Sequence, residues 1–258
     1  MAKPSSGTGR KNSSPAPKRI LAIDIGGTKV KYLLSGEVEP RRFSSGKRMT
    51  PTKMVESLLS EVGDWKYDAI SIGYPGLVGD HGPRSEPGNL GHGWVGFDFA
   101  AAFGCPVRII NDAAMQALGS YDGGRMLFLG LGTGLGSALI SECVLVPLEL
   151  GQLYWEDGKV LSDILGHRGL KKLGKSAWRQ AVLDTVTSLM SAFVCDSIVI
   201  GGGNAKLIRD LPPGISRGNN LTAFRGGFRL WNVDDVTTQA DPGAHHAPEA
   251  RPAEWRLI

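Results

Sequence analysis

The chain has 258 residues, 41% of them hydrophobic, 21% charged and 7% aromatic, and its 36 glycines make up about 14% of the total against about 7% in an average protein. That apolar content excludes a disordered chain, and the missing Gly-x-y period excludes a collagen-like one; a chain of this length buries about three quarters of its unfolded surface, enough for one large domain or two modest lobes. The formal charge of +4 sits at one end: residues 1–19 hold Lys3, Arg10, Lys11, Lys18 and Arg19 and no acid, which leaves 24 basic against 25 acidic residues, so the body carries no compositional signal for nucleic acid.

Residues 1–19 read as a disordered basic tail, with Ser, Pro, Gly and Lys where a signal peptide needs an apolar run. No apolar stretch reaches the roughly 18–20 residues of a membrane span without a glycine, so no membrane partner and a cytoplasmic location are expected. Cys105, Cys143 and Cys195 form no CxxC pair, which predicts reduced structural thiols and no zinc site.

Ile20–Ile25 is a short apolar run ended by Gly26-Gly27, and Thr28–Leu34 alternates like a half-buried strand, so the two predict a hairpin around a glycine turn. A helix follows, with Thr50 as cap, Pro51 at its first position, Gly63 at its end, and Met54, Val55, Leu58, Leu59 and Val62 as its buried stripe. Asp68–Gly73 and Val107–Ile110 read as buried strands, and Asn111-Asp112 opens a short helix over Ala113–Leu118. After Gly123-Gly124 the plan restarts. Strands Met126–Leu131 and Ser137–Ile140 flank a second glycine turn, Gly132-Thr133-Gly134-Leu135-Gly136. A long helix from Lys175 to Val194 carries Trp178, Val182, Val186, Leu189 and Phe193 on one side; the strand Asp196–Ile200, Gly201-Gly202-Gly203 and a short helix come after it. Boundaries at 20–120 and 121–233 give two α/β lobes with a cleft between them, and 234–258 reads as a loose C-terminal tail.

Glycine lets backbone N–H groups approach an anion closely, so the two turns are either phosphate cradles or plain tight hairpins. Asp24 beside the first turn suits a hydrated Mg²⁺, which keeps most of its waters and needs one or two carboxylates. A P-loop is excluded because GxxxxGK[ST] does not occur, and Gly132-x-Gly134-x-Gly136 does not fit the dinucleotide pattern GxGxxG. Asn111 and Asp112, on residue type alone, are either helix caps or site residues.

Several segments, in order along the chain, resemble those of the ROK family of sugar kinases: IDIGGTK at Ile23–Lys29, EPGNLGHGW at Glu86–Trp94, NDA at Asn111–Ala113, LGTGLGSALI at Leu131–Ile140, LVPLELGQ at Leu145–Gln152 and IVIGGG at Ile198–Gly203. The match spans about residues 20–230 and is similar to the compact polyphosphate glucokinase branch, which lacks the Cys-rich zinc motif. The resemblance implies a two-lobed actin-like (ribonuclease H-like) α/β fold and a kinase that moves a phosphoryl group from ATP and/or polyphosphate to the 6-hydroxyl of a sugar, glucose by preference. It implies Asp112 as general base; Asp24, Gly26, Gly27, Thr28, Lys29, Gly132, Thr133, Gly134, Gly202 and Gly203 at the phosphates; and Asn89, Asn111, Glu149 and Gln152 at the sugar. Asp24 would hold Mg²⁺ through water, and homodimers are common in the family.

Gln152 departs from the pattern, because the family usually has His there; glutamine keeps a donor and an acceptor but changes the reach. The alternatives are therefore a ROK kinase for another hexose or an N-acetylhexosamine, or a catalytically impaired sugar-binding protein. ROK regulators carry an N-terminal helix-turn-helix, and the 19 non-helical residues before Ile20 point away from one.

Overall fold

The computed structural model describes residues 19–219, 221–232 and 255–258. The expected basic tail, Arg19 apart, and residues 233–254 lie outside the described residues.

The first half folds as β1 (Ile20–Ile25), β2 (Lys29–Leu34), β3 (Arg41–Ser44), α1 (Pro51–Val62), β4 (Ala69–Tyr74), the small hairpin β5 (Val78–Gly79) and β6 (Gly82–Pro83), α2 (Phe99–Phe103), β7 (Val107–Asn111) and α3 (Asp112–Ser120). The second half adds β8 (Met126–Leu131), β9 (Leu135–Ser141), β10 (Val144–Leu148), α4 (Leu161–Leu165), α5 (His167–Ala192), β11 (Ser197–Gly201), β12 (Ile215–Arg217), α6 (Thr222–Arg229) and β13 (Arg256–Leu257).

Two sheets result, ordered β3-β2-β1-β4-β7 and β12-β11-β8-β9-β10-β13. In each, a three-strand antiparallel meander is followed by two parallel strands, so β1, β2, β3, β4 and β7 correspond to β8, β9, β10, β11 and β12. The central parallel strands β1, β4, β8 and β11 are mostly apolar and buried, as strands covered on both faces are, with Asp24 near the end of β1 as the charged exception. Of the C-terminal stretch, Arg256 and Leu257 pair in parallel with Val144 and Leu145, so its described end is attached to the second sheet.

Local chemistry explains the helix ends. Thr50 Oγ1 accepts from Lys53 N at 3.3 Å, Pro51 fills the first turn where its missing N–H costs nothing, and Gly63 closes α1 with φ 51°. The buried stripe of α1 is Met54, Val55, Leu58 and Val62; Leu59 points to solvent, 42% exposed, because it falls outside the arc the other four cover. The long helix starts earlier than its apolar stripe, at His167, and is interrupted at Gly174, whose φ of 76° only glycine adopts without strain. Trp178, Val182, Val186 and Leu189 bury the second part against the second sheet.

The other faces of the two sheets meet across α3 and α6, and these helices are exchanged. α3, which follows the first sheet, packs with Met126, Phe128, Ala138 and Ile140 of the second; α6, which follows the second, packs with Ile20, Ala22, Leu33 and Ala69 of the first. Their crossing is so close that a Cβ at Gly119 would overlap the Thr222 carbonyl and one at Gly226 the Met115 carbonyl. Ser71 Oγ donates to Gly227 O at 2.6 Å and fastens α6 to β4. All three cysteines are free thiols, and no helix of the described residues is long and apolar enough to cross a membrane.

Candidate active site

β1, β4 and β7 run parallel, and their carboxyl ends open on the space between the sheets, the usual place for a ligand in such folds. Asp24 lies at the end of β1 and pairs across β4 with Gly73, which pairs in turn with Ile110 on β7. Asp112 is the first residue of α3, just past the end of β7. A Cβ at Gly73 would come 2.5 Å from Met115 Cε, so this glycine makes room for the Met115 side chain of α3 against β4.

Burial raises the pKa of Asp112, the carboxylate of Asp24 raises it further and that of Glu149 adds to this, while the backbone N–H of Ala113, donating at 2.8 Å, pulls the other way; the result is about 7. Asp24 is raised by burial and lowered by Lys31, whose Nζ lies 3.3 Å from its Oδ2. A carboxyl poised near 7 is half-ionised at neutral pH, as a general base for a sugar hydroxyl should be.

Asn111 caps α3: its Oδ1 accepts from Ala113 N at 2.9 Å and Ala114 N at 3.2 Å, and its Nδ2 donates to Gly76 O at 3.1 Å. Both readings of this side chain thus bear on one geometry, since the cap leaves one amide hydrogen for a ligand.

The first glycine turn is closed by Gly26 N donating to Lys29 O at 3.0 Å, with Thr28 and Lys29 exposed. A Cβ at Gly27 would come 3.0 Å from Asn89 Cβ, so this turn packs directly on the loop that carries Asn89. That loop is stiffened by buried Trp94, whose Nε1 donates to Gly91 O at 2.8 Å. Desolvation works to raise the Glu86 carboxyl, but the amides of Val95, Trp94 and Gly93 outweigh it and hold the group below the usual carboxylate range.

The second turn is closed by Gly132 N donating to Gly134 O at 3.1 Å. Its carbonyls face inward: Gly132 O accepts from His167 N and from Asn204 Nδ2, and Thr133 O from His167 N. Gly202, at φ 82°, lies so close that a Cβ would come 2.5 Å from Leu131 O, whereas Gly203 faces open space. The two glycine loops of this half therefore clasp each other beyond β8 and β11.

Glu149 and Gln152 sit at the two ends of one 3-10 turn, joined by Gln152 N donating to Glu149 O at 2.9 Å, and both are exposed. Ser162 Oγ accepts from Leu135 N at 3.2 Å and packs on Gly151, coupling this segment to the second glycine turn. A cavity of about 720 Å³ opens beside Asn111 and Glu149, with Leu77, Phe97, Ile109, Leu148 and Ile258 in its wall.

Three contributors escaped the sequence reading. Lys31 is the antiparallel partner of Asp24, a pairing that follows from centring the hairpin on Gly27-Thr28. Ser162 and Asn204 stand on distant segments and carry no local signal.

Among the described residues no three His, Cys, Asp or Glu side chains gather into a metal cluster. A hydrated Mg²⁺ needs fewer: Asp24, a hard oxygen donor beside the first phosphate turn and 13% exposed, fits that role.

Two lobes of the same topology, each with a glycine turn at its tip and with acids between them, form the two-lobed actin-like fold of the sugar kinases. The chain belongs to the ROK family, whose model matches residues 20–147. It is similar to the polyphosphate glucokinase of Mycobacterium tuberculosis strain H37Ra, 24% identical over 247 residues that cover 84% of this chain and 92% of that protein. It is also similar to the bifunctional enzyme NanE/NanK of Brucella melitensis, 33% identical over 147 residues covering 50% of this chain and 27% of that protein. Among solved structures, the inorganic polyphosphate/ATP-glucomannokinase of Arthrobacter sp. strain KM superposes with a TM-score of 0.68 at 24% identity, covering 81% of this chain and 96% of that one. The fold and family expected from the glycine-turn segments are those observed.

Proposed function

We propose that the protein is a hexose kinase that transfers a phosphoryl group from ATP and/or polyphosphate to the 6-hydroxyl of a sugar, with glucose as the favoured acceptor. The observation that carries this reading is Asp112, set at a helix start between Asp24 and Glu149 and held at a pKa of about 7. The sugar oxygen attacks the terminal phosphorus of the donor, its proton passes to the Asp112 carboxylate, and the bond from phosphorus to the rest of the donor breaks. Phosphoryl transfer passes through a loose transition state, so holding the hydroxyl in line matters more than the strength of the base. Asn89, Asn111, Glu149 and Gln152 orient the sugar, and the turns Gly26–Lys29, Gly132–Gly134 and Gly202–Gly203, whose Gly26 and Gly132 amides close the turns themselves, hold the donor. Mg²⁺, held by Asp24 through water, would neutralise charge on the donor phosphates.

An N-acetylhexosamine is the second acceptor to weigh. The cavity of about 720 Å³ beside Asn111 and Glu149 has room for an acyl group, and NanE/NanK is among the similar proteins. The deciding experiment is a coupled assay of glucose, its epimers and N-acetylmannosamine, each with ATP and with polyphosphate. The expected result is hexose 6-phosphate formed fastest from glucose. Phosphorylation of N-acetylmannosamine alone would move the reading to that sugar, and no phosphorylation with either donor would overturn it in favour of a sugar-binding protein, to which Gln152 lends support.

A further inference from the structure

Beside the first glycine turn lies a cluster of cations that the proposed chemistry does not use. β3 runs on into the loop Ser45–Met49, and a shallow depression of about 400 Å³ there is lined by Ser45, Gly46, Lys47, Arg48, Met49 and Lys53. Along the chain no acid occurs between Glu39 and Glu56. Among the described residues, Lys47, Arg48 and Lys53 have no ion-pair partner, and all three are exposed.

The loop is held on both sides by the site. Ser45 Oγ donates to Gly26 O at 2.6 Å and Ser45 N to Thr28 O at 3.0 Å, while Gly91 N of the loop that carries Asn89 donates to Met49 O at 2.9 Å. Register extends the charge toward the cleft: Lys31 stands opposite Arg42, and Lys29 opposite Ser44, on the sheet face that also carries Asp24. Cations on an edge strand such as β3 guard against sheet-to-sheet pairing, but Lys47, Arg48 and Lys53 lie beyond the strand, where no edge needs guarding. The N-terminus of α1, capped by Thr50 next to the depression, adds partial positive charge.

We propose that Lys47, Arg48 and Lys53 form a track for a linear polyphosphate donor, holding the part of the chain that extends past the phosphoryl group being transferred. This rests on the kinase reading above and assigns the donor's overhang to the first lobe. ATP has no anionic groups past its triphosphate, so the track discriminates between the two donors. A polyanion on such a surface is bound through several weak, salt-screened contacts whose sum grows with chain length.

The test is the double charge reversal Lys47→Glu/Arg48→Glu, with folding checked by thermal unfolding and Lys53→Glu as an independent single variant. The KM for long-chain polyphosphate should rise by about tenfold or more, as two reversed surface charges imply, and by much less for tripolyphosphate, with KM for ATP within about twofold. The salt dependence of polyphosphate KM should flatten in the same variants. Equal changes for ATP and polyphosphate, or none for long chains, would overturn the proposal. Fluorescence anisotropy with end-labelled polyphosphate reads the track without turnover. If the wild type phosphorylates no sugar yet binds the label, and the reversal abolishes that binding, the kinase reading fails and the track stands; if the wild type binds no label and makes no use of polyphosphate, the track falls.

Discussion

The two halves repeat one hairpin and fill it differently. Ile25 pairs with Val30 and Leu131 with Leu135, so the pair Asp24 and Lys31 of the first half corresponds to the pair Gly130 and Gly136 of the second. The first hairpin thus carries an ion pair where the second carries two glycines. The reason is what lies above each. A Cβ at Gly136 would come 2.8 Å from Ala113 Cβ, so the second hairpin must be bare for the first turn of α3 to lie on it. One half supplies a charged group to the cleft; the other gives up its side chains so that the helix bearing Asp112 can approach. A duplicated scaffold becomes an active site through the positions at which the copies differ.

The largest effect should come from the residue with no counterpart in the second half. Asp112→Asn keeps the shape and the cap, so sugar binding measured calorimetrically should persist while kcat falls by about 10²- to 10⁴-fold, the usual worth of a positioned base. For the wild type, kcat/KM should rise with pH up to about 7 and level off above it, because the base works when deprotonated. Stability should move the opposite way. The folded state holds this proton more tightly than the unfolded chain, so the contribution is complete in acid and is lost as pH rises through about 7. Asp112→Asn should therefore flatten the pH dependence of denaturant unfolding and be the more stable protein at pH 8. A variant as pH-sensitive as the wild type would contradict that assignment.

The next effect tests what the halves share. At Gly226 a methyl group would meet only backbone of α3, the Met115 carbonyl and the Gly119 nitrogen, so Gly226→Ala should force α3 and α6 apart. Overpacking of this kind costs about 1–3 kcal/mol, read as a lower urea midpoint. Gly136→Ala should act locally instead. Pushing Ala113 moves Asp112 with it, and a shift approaching 1 Å is worth about 10²-fold in rate. A fall in kcat of about ten- to a hundredfold with an unchanged unfolding midpoint is expected; a normal kcat would show that α3 yields without moving its acid.

Much of this was legible because the signals are local. Glycine turns between apolar runs gave both hairpins, and Thr50, Pro51 and Gly63 bounded α1 to the residue. His167–Leu173 escaped because Arg168, Lys171 and Lys172 leave it no apolar stripe to read. The exchange of α3 and α6 was illegible for a different reason. Gly119 and Gly226 look like weak points in their helices until the two are brought together from more than a hundred residues apart. Within the site, the acids and the glycine loops could be read from residue type. Ser162 and Asn204 could not, since a serine or asparagine becomes informative only when its partner is known.

The smallest effect concerns the ion pair itself. Lys31 is about half exposed, so its bond to Asp24 is worth only about 0.2–1 kcal/mol, and Lys31→Met should lower kcat/KM by about two- to fivefold. The sharper readout is the pH profile. Burial already raises Asp24 and Lys31 opposes that rise, so the variant's Asp24 should hold its proton to higher pH. A neutral Asp24 no longer repels charge on Asp112, which removes one of the causes raising that group. The two titrations are coupled, so the acid limb of kcat/KM should change shape rather than simply shift. A limb displaced without change of shape would mean that Asp24 and Asp112 do not sense each other, and that the charge in the first hairpin serves the donor alone.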